Sequence, residues 1–387
     1  MLHSYQIYLN GDCNLRCRYC YEHKKDRSAN SREKVLAFIR HIIKDAEATN
    51  DIDPFKATTI EFIGGEVFLH VGLLKEAIET FIKEGVAHGF HSLPIFSIST
   101  NGTLFDREDV RDFIETYGRY LSIGFSIDGT KQCHDTNRID IHGNGTWEKA
   151  VEGWKYIQRH VCARNLNVKA TFNHDTMHYY ADSIISLIEL GFTNIAANPV
   201  FEETWTDKDG EVFLKQLMIV HRYLRDHSLL DSVRINQINP KGSKYSDLTI
   251  GLPKECNHCG SGVHMMALGF NGEVYSCHRF ACEAHYPIGH IDNDGNITIT
   301  MPEFADTIKH QYLEYPEECK RCAFATLCGS CVALPYEEGI SAKELFAQKR
   351  QCGFTKAMGL AICYAMVEME TGQCCDWEYV DTPLSID

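Results

Sequence analysis

Apolar and polar positions along the first two thirds of the chain follow two alternating rhythms. Short runs rich in β-branched and aromatic residues, Tyr5–Leu9, Thr59–Ile63, Ile95–Ser99, Leu121–Ile127, Asn167–Phe172 and Asn194–Ala197, read as strands. Between them lie stretches with apolar residues three and four apart, such as Arg32–Ala46 and Leu73–Glu84, which read as amphipathic helices. Strand and helix taken in turn predict a parallel α/β sheet, because a parallel pair needs a crossover connection. Six units rather than eight point to an incomplete barrel, a partial (β/α)6 TIM-like barrel over residues 1–235. Residues 236–387 form a smaller, cysteine-rich second domain that closes with a helix over Thr355–Glu370. Low-complexity tracts and long repeats are absent.

Polar residues cluster where these strands end. Cys13, Cys17 and Cys20 follow the first strand, and Gly64-Gly65-Glu66 the second. Ser99-Thr100-Asn101-Gly102 closes the third, Ser126-Ile127-Asp128-Gly129 the fourth, and Asn173-His174 the fifth. The C-terminal ends of barrel strands are where such folds build active sites. Each string alone is an ordinary turn signal. Their agreement in register is the informative point.

Composition narrows the class. The 387 residues are 44% hydrophobic and 24% charged, an ordinary globular balance. A net charge of −15 argues against a nucleic-acid partner. No apolar run approaches a membrane span, and the N-terminus lacks the profile of an export signal. A cytoplasmic location is expected. The 17 cysteines are then better explained by metal than by disulfides. Twelve of them fall from Cys256 to Cys375 and three in the first loop. Three thiolates spaced CX3CX2C can hold three corners of a four-iron cluster and leave one iron open. A zinc knuckle completed by His23 is the alternative.

The loop Cys13-Asn14-Leu15-Arg16-Cys17-Arg18-Tyr19-Cys20, with an aromatic residue before the third cysteine, resembles the signature of radical S-adenosylmethionine (SAM) enzymes. The resemblance implies that SAM binds the open iron and yields a 5′-deoxyadenosyl radical. It implies cofactor contacts at Tyr19, Gly64, Gly65, Glu66, Ser99, Thr100, Asn101, Ser126 and Asn173, with Asp128 at the reacting centre. Val67 stands where the family usually has proline after its GGE motif. Arg138 pairs either with the SAM carboxylate or in a surface salt bridge.

The second half, with Cys256, Cys259, Gly272, Cys277, Cys319, Cys322, Cys328, Cys331 and Cys352, resembles the SPASM extension of such enzymes. Its one departure is two residues rather than three between Cys328 and Cys331. The family arrangement implies one auxiliary 4Fe–4S cluster on Cys256, Cys259, Cys277 and Cys331. A second falls on Cys319, Cys322, Cys328 and Cys352, three clusters in all, with a pair of zinc ribbons as the alternative. Cys133, Cys162, Cys282 and Cys363 read as buried small apolar residues, Cys282 also as a substitute ligand, and Cys374-Cys375 as an inert pair.

Sulfatase maturases of the family carry an aspartate after the cysteine of the GX4C segment and use it as a base. Here that residue is His278, so it is the candidate base or a hydrogen-bond donor to a cluster sulfur. The string Cys277-His278-Arg279-Phe280 resembles maturases that crosslink ribosomal peptides. The expected function is oxidative crosslinking of a precursor peptide. Formylglycine formation of the sulfatase type and small-molecule dehydrogenation are the alternatives. Implied partners are a precursor peptide or protein and an external electron donor such as flavodoxin or ferredoxin. With only twelve residues before Cys13, a leader is expected to be read by the barrel mouth, the SPASM extension or a separate leader-binding protein.

Overall fold

In a computed structural model, the structure describes residues 2, 4–22, 25, 29–49, 51, 53–238, 259–282 and 284–372. The six expected strands are β1 (Ser4–Asn10), β2 (Thr59–Gly64), β3 (Ile95–Thr100), β4 (Leu121–Ser126), β5 (Leu166–Phe172) and β6 (Asn194–Pro199). They pair in sequence order, all parallel. Helices α1 (Arg32–Glu47), α2 (Val71–Ala87), α3 (Glu108–Tyr117), α4 (Lys131–Asn137), α5 (Trp147–Ile157), α6 (Tyr180–Glu189) and α7 (Asp207–Asp226) fill the connections. The barrel does not close. A two-residue β7 (Arg234–Ile235) ends the sheet beside β6.

The other edge holds a feature that the hydrophobic pattern did not show. Strand β8 (Met265–Leu268) pairs in parallel with β1, and β9 (Glu273–Tyr275), β10 (Gly289–Ile291) and β11 (Ile297–Ile299) continue the sheet antiparallel. Eleven strands therefore form one sheet, and the cysteine-rich region shares it with the barrel. Runs of three and four residues carry too little alternation to stand out along the chain. The region ends in short helices α8 (Pro302–Lys309), α9 (Glu317–Lys320), α10 (Leu334–Glu338) and α11 (Ala342–Ala347), then α12 (Cys352–Thr371). No described helix is long and apolar enough to cross a membrane.

The two faces of the parallel strands differ. On β3 and β5, Phe96, Ile98, Val168, Ala170 and Phe172 are fully buried under the helices. Phe81 of α2 meets Phe96 edge-on at 5.6 Å and Phe55 at 4.9 Å, and burying each such ring contributes about 2–3 kcal/mol. The residues between them, Ser97, Ser99, Asn167, Lys169 and Thr171, line the inner face and stay partly open to solvent.

Candidate functional site

The cysteine loop is held by backbone. Asn10 donates through Nδ2 to the carbonyls of Asp12 (2.8 Å) and Glu66 (3.0 Å). Gly65 N donates to Asn10 O (3.0 Å) and Glu66 N to Asp12 O (2.8 Å). A Cβ at Gly64 would lie 2.4 Å from Asn10 O, and one at Gly65 2.1 Å from Asp12 O. The close approach that these glycines permit is thus to the cysteine loop itself. On its far side Arg16 N and Arg18 N donate to Ile139 O (2.7 Å) and Asn137 O (3.0 Å).

The three thiols suit an iron–sulfur cluster. Leu15 N lies 3.4 Å from Cys13 Sγ, Asn101 Nδ2 4.0 Å from it, and Lys25 Nζ 3.0 Å from Cys20 Sγ. Such donors stabilise thiolate and tune a cluster's potential. Burial pushes the Cys13 thiol up to about 12, with Glu66 adding to the effect. Iron binding must therefore release that proton. Among the described residues, no three His, Cys, Asp or Glu side chains gather as tightly as a single metal ion needs. The thiolates of a cubane bind separate irons.

At the mouth of the barrel the expected cofactor residues meet, and most are already bonded to one another. Glu66 is buried; its carboxylate accepts from Thr100 Oγ1 (2.8 Å), Asn101 N (2.7 Å) and Phe68 N (3.2 Å). Burial raises this carboxyl to about 7, and those three bonds hold it back from rising further. Asp128 is fully enclosed and accepts from Tyr19 Oη, Arg138 Nε (3.0 Å) and Thr171 N (2.9 Å). Arg138 is therefore no surface salt-bridge residue. It lies in a buried pair with Asp128, its guanidinium 5.4 Å from the centre of the Tyr19 ring. Asn173 exchanges amide bonds with Asn137 (3.2 and 3.3 Å). Asp128 thus joins the cysteine loop, through Tyr19, to β5.

Deeper on the inner face the structure assembles residues that the motif reading passed over. Gln6 of β1 donates through Nε2 to Glu61 Oε2 of β2 (2.8 Å), and this fixes which end of its amide is oxygen. That oxygen accepts from His278 N (2.8 Å) and contacts His278 Nδ1 (3.2 Å). Nδ1 must then carry the proton, which leaves Nε2 as the acceptor. Burial lowers the His278 pKa below its ordinary value, countered by Glu61 and reinforced by Lys169 and Arg279. Lys169 of β5 donates to Ser99 Oγ (2.9 Å), and Ser126 pairs in register with Lys169. The signal for Gln6, Glu61 and Lys169 was a polar residue at an inner position of an otherwise apolar strand.

The cysteines of the extension fall into two groups. Cys319, Cys322, Cys328 and Cys352 line one pocket with Tyr315 and Phe324. Burial raises Cys319 to about 11 and Cys328 to about 12, with other members of this group adding to both. Cys259, Cys277 and Cys331 form the other group. Burial takes Cys331 to about 12; Arg279 opposes this, while Cys277 and Cys259 add to it. Cys331 thus joins Cys277 although Cys328 is nearer in sequence. Cys256, Cys374 and Cys375 lie outside the described residues. Cys282 turns toward the barrel, 2.7 Å from Tyr8 Oη. Cys133 is buried as expected, but Cys162 is exposed, because it precedes the short turn leading into β5. Arg279 joins the two regions: it pairs with Glu337 through two 2.8 Å contacts, binds Glu202 and stacks on Tyr21 at 4.9 Å.

An open α/β barrel with a three-thiol loop after its first strand and a thiol-rich extension on the same sheet defines a class of oxidoreductase. Residues 7–184 match the Radical SAM superfamily, a class that uses SAM and a 4Fe–4S cluster, so the chain carries a radical SAM domain. It is 26% identical over 354 residues to the cysteine-type anaerobic sulfatase-maturating enzyme of Clostridium perfringens, spanning 82% of this chain and 85% of that one. Identity to the serine-type enzyme of Klebsiella aerogenes is also 26%, over 83% of this chain and 77% of that one. Two solved structures share the fold. Native anSMEcpe with bound AdoMet and Cp18Cys peptide aligns with a TM-score of 0.65 at 20% identity, covering 92% of this chain and 99% of that one. Streptococcus suis SuiB bound to precursor peptide SuiA aligns at 0.52 and 15% identity, covering 86% and 73%.

Proposed function

We propose that this chain is a radical SAM maturase that oxidises a cysteine or serine side chain within a peptide or protein, as the sulfatase-maturating enzymes do. The similarity to those enzymes over most of both chains carries the reading. It favours the sulfatase type over the peptide-crosslinking maturase that Cys277-His278-Arg279-Phe280 suggested. His278 occupies the position of the family's aspartate base, so proton removal here falls to an imidazole.

When bound, SAM on the reduced cluster supplies a radical that removes one hydrogen atom from the substrate carbon. Cys13, Cys17 and Cys20 would hold that cluster. Cys259, Cys277 and Cys331 with Cys256, and Cys319, Cys322, Cys328 and Cys352, would hold two more. Thr100, Asn101 and the Gly64–Glu66 turn shape the SAM side of the mouth. Asp128 positions the loop through Tyr19 and Arg138. A cluster held by either set of extension cysteines would supply an acceptor for the second electron that the substrate must lose. The proton lost from the substrate's sulfur or oxygen goes to Nε2 of His278, with Gln6 holding the tautomer. An external carrier of the flavodoxin or ferredoxin type would reduce the SAM-site cluster.

The test is an anaerobic reaction of the reconstituted protein with SAM, dithionite and a synthetic sulfatase-type peptide containing cysteine or serine. A hydrazide-reactive aldehyde formed with 5′-deoxyadenosine is the expected result. A crosslinked product without aldehyde would return the assignment to the peptide-crosslinking class.

A further inference from the structure

The inner face carries a cation that the chemistry at the mouth does not use. Lys169 sits in mid-β5 on the side away from the helices and is exposed there. Its ammonium crosses β4 to reach Ser99 Oγ on β3 at 2.9 Å. The crossing needs room, and Gly124 of β4 provides it: a Cβ there would lie 3.4 Å from Lys169 Cε and 3.0 Å from Asn167 Oδ1. No carboxylate is paired with Lys169 among the described residues. An ammonium has three donors, and Ser99 takes one. Two remain, on the inner face of the sheet that the Gln6–Glu61–His278 cluster also lines.

We propose that Lys169, set in place by Gly124 and Ser99, binds a single carboxylate of the substrate, an acidic side chain or a C-terminus of the peptide. The proposal rests on the peptide-maturase reading and adds a substrate feature to it. One ammonium beside a neutral hydroxyl and the Asn167 amide suits a monoanion. A phosphate dianion calls for a fork of donors or a second cation. An ordinary surface lysine would extend into solvent rather than bridge three strands over a glycine.

A carboxylate could also come from the methionine part of SAM, and the test separates the two sources. The reconstituted full-length protein is acetylated with N-hydroxysuccinimidyl acetate, and each lysine is followed by mass spectrometry. The additions are glutarate, its uncharged diamide, or S-adenosylhomocysteine. The expected result is that glutarate slows acetylation of Lys169 roughly threefold at twice its dissociation constant. Exposed Lys83 and Lys155 should be unaffected, and the diamide and S-adenosylhomocysteine should not protect. In Ser99→Ala the protection should weaken although the lysine remains. Protection by S-adenosylhomocysteine alone would assign the charge to the cofactor and overturn the proposal. Equal protection of every lysine, or none at all, would overturn it as an adventitious ion effect. The readout needs no turnover, so failure of aldehyde formation would sink the maturase reading without disturbing this result.

Discussion

The two thiol-bearing regions are held by different forces. At the barrel mouth the cysteine loop is fastened by backbone hydrogen bonds to the turn after β2 and to the segment after α4, with glycines at the points of nearest approach. In the extension, Cys319, Cys322, Cys328 and Cys352 come from α9, a turn and the start of α12, and are gathered by packing around an apolar pocket. A site fixed by backbone tolerates side-chain change and fails when a Cβ intrudes. One fixed by packing responds to volume and to the docking of its last helix.

Substitutions can sharpen or break that contrast. The largest effect belongs to Cys17→Ala, which should abolish 5′-deoxyadenosine formation and remove about four irons per chain while the extension keeps its own. Iron analysis paired with product chromatography checks this; an unchanged iron content would break the three-site reading. His278→Gln should lower aldehyde formed per 5′-deoxyadenosine by roughly 10²–10⁴, the usual loss of a general base. Rates from quenched anaerobic reactions measure it, and an unaltered ratio would remove His278 from the chemistry.

Gly65→Ala should destabilise the protein by about 1–3 kcal/mol, because the new methyl meets a carbonyl that cannot move away. Gly329→Ala in the extension, where nothing lies within 4 Å, should change stability little. Denaturant midpoints of the pair would decide whether backbone contact distinguishes the regions.

The smallest effect concerns α12, whose docking on α7 uses Glu368 with His221 (2.9 Å) and Arg225 (3.0 Å). Burial alone would raise the Glu368 pKa, but the bonds from Arg225 and His221 outweigh it and hold the carboxyl below its ordinary range. A depressed carboxyl contributes stability that is present above its unfolded pKa and lost as pH falls through the folded value. Between pH ~5 and ~3 the wild type should therefore lose about 1 kcal/mol or less that Glu368→Gln does not lose. Melting temperatures across that interval test it.

Much of the barrel was legible because it repeats one physical rule. Alternation within a strand and three- to four-residue spacing within a helix are local, so β1 to β6, α1, α2 and α12 matched expectation to within three residues at each end. Cysteine spacing is local too, and it marked the thiols before any fold was known. Strand β8 was not legible, since four residues pairing with β1 across more than two hundred positions leave no periodic trace.

Chemical identity was therefore written in the chain: which residues carry thiols, where turns need glycine, and that strand ends hold the polar groups. Only the folded molecule decided their partners. It enclosed Asp128 and Arg138 together, and brought Gln6 to His278 and Lys169 to Ser99. Those choices depend on sheet register and on which side chain blocks or clears a path, as Gly124 clears one for Lys169. Such distances exist only once the strands lie side by side.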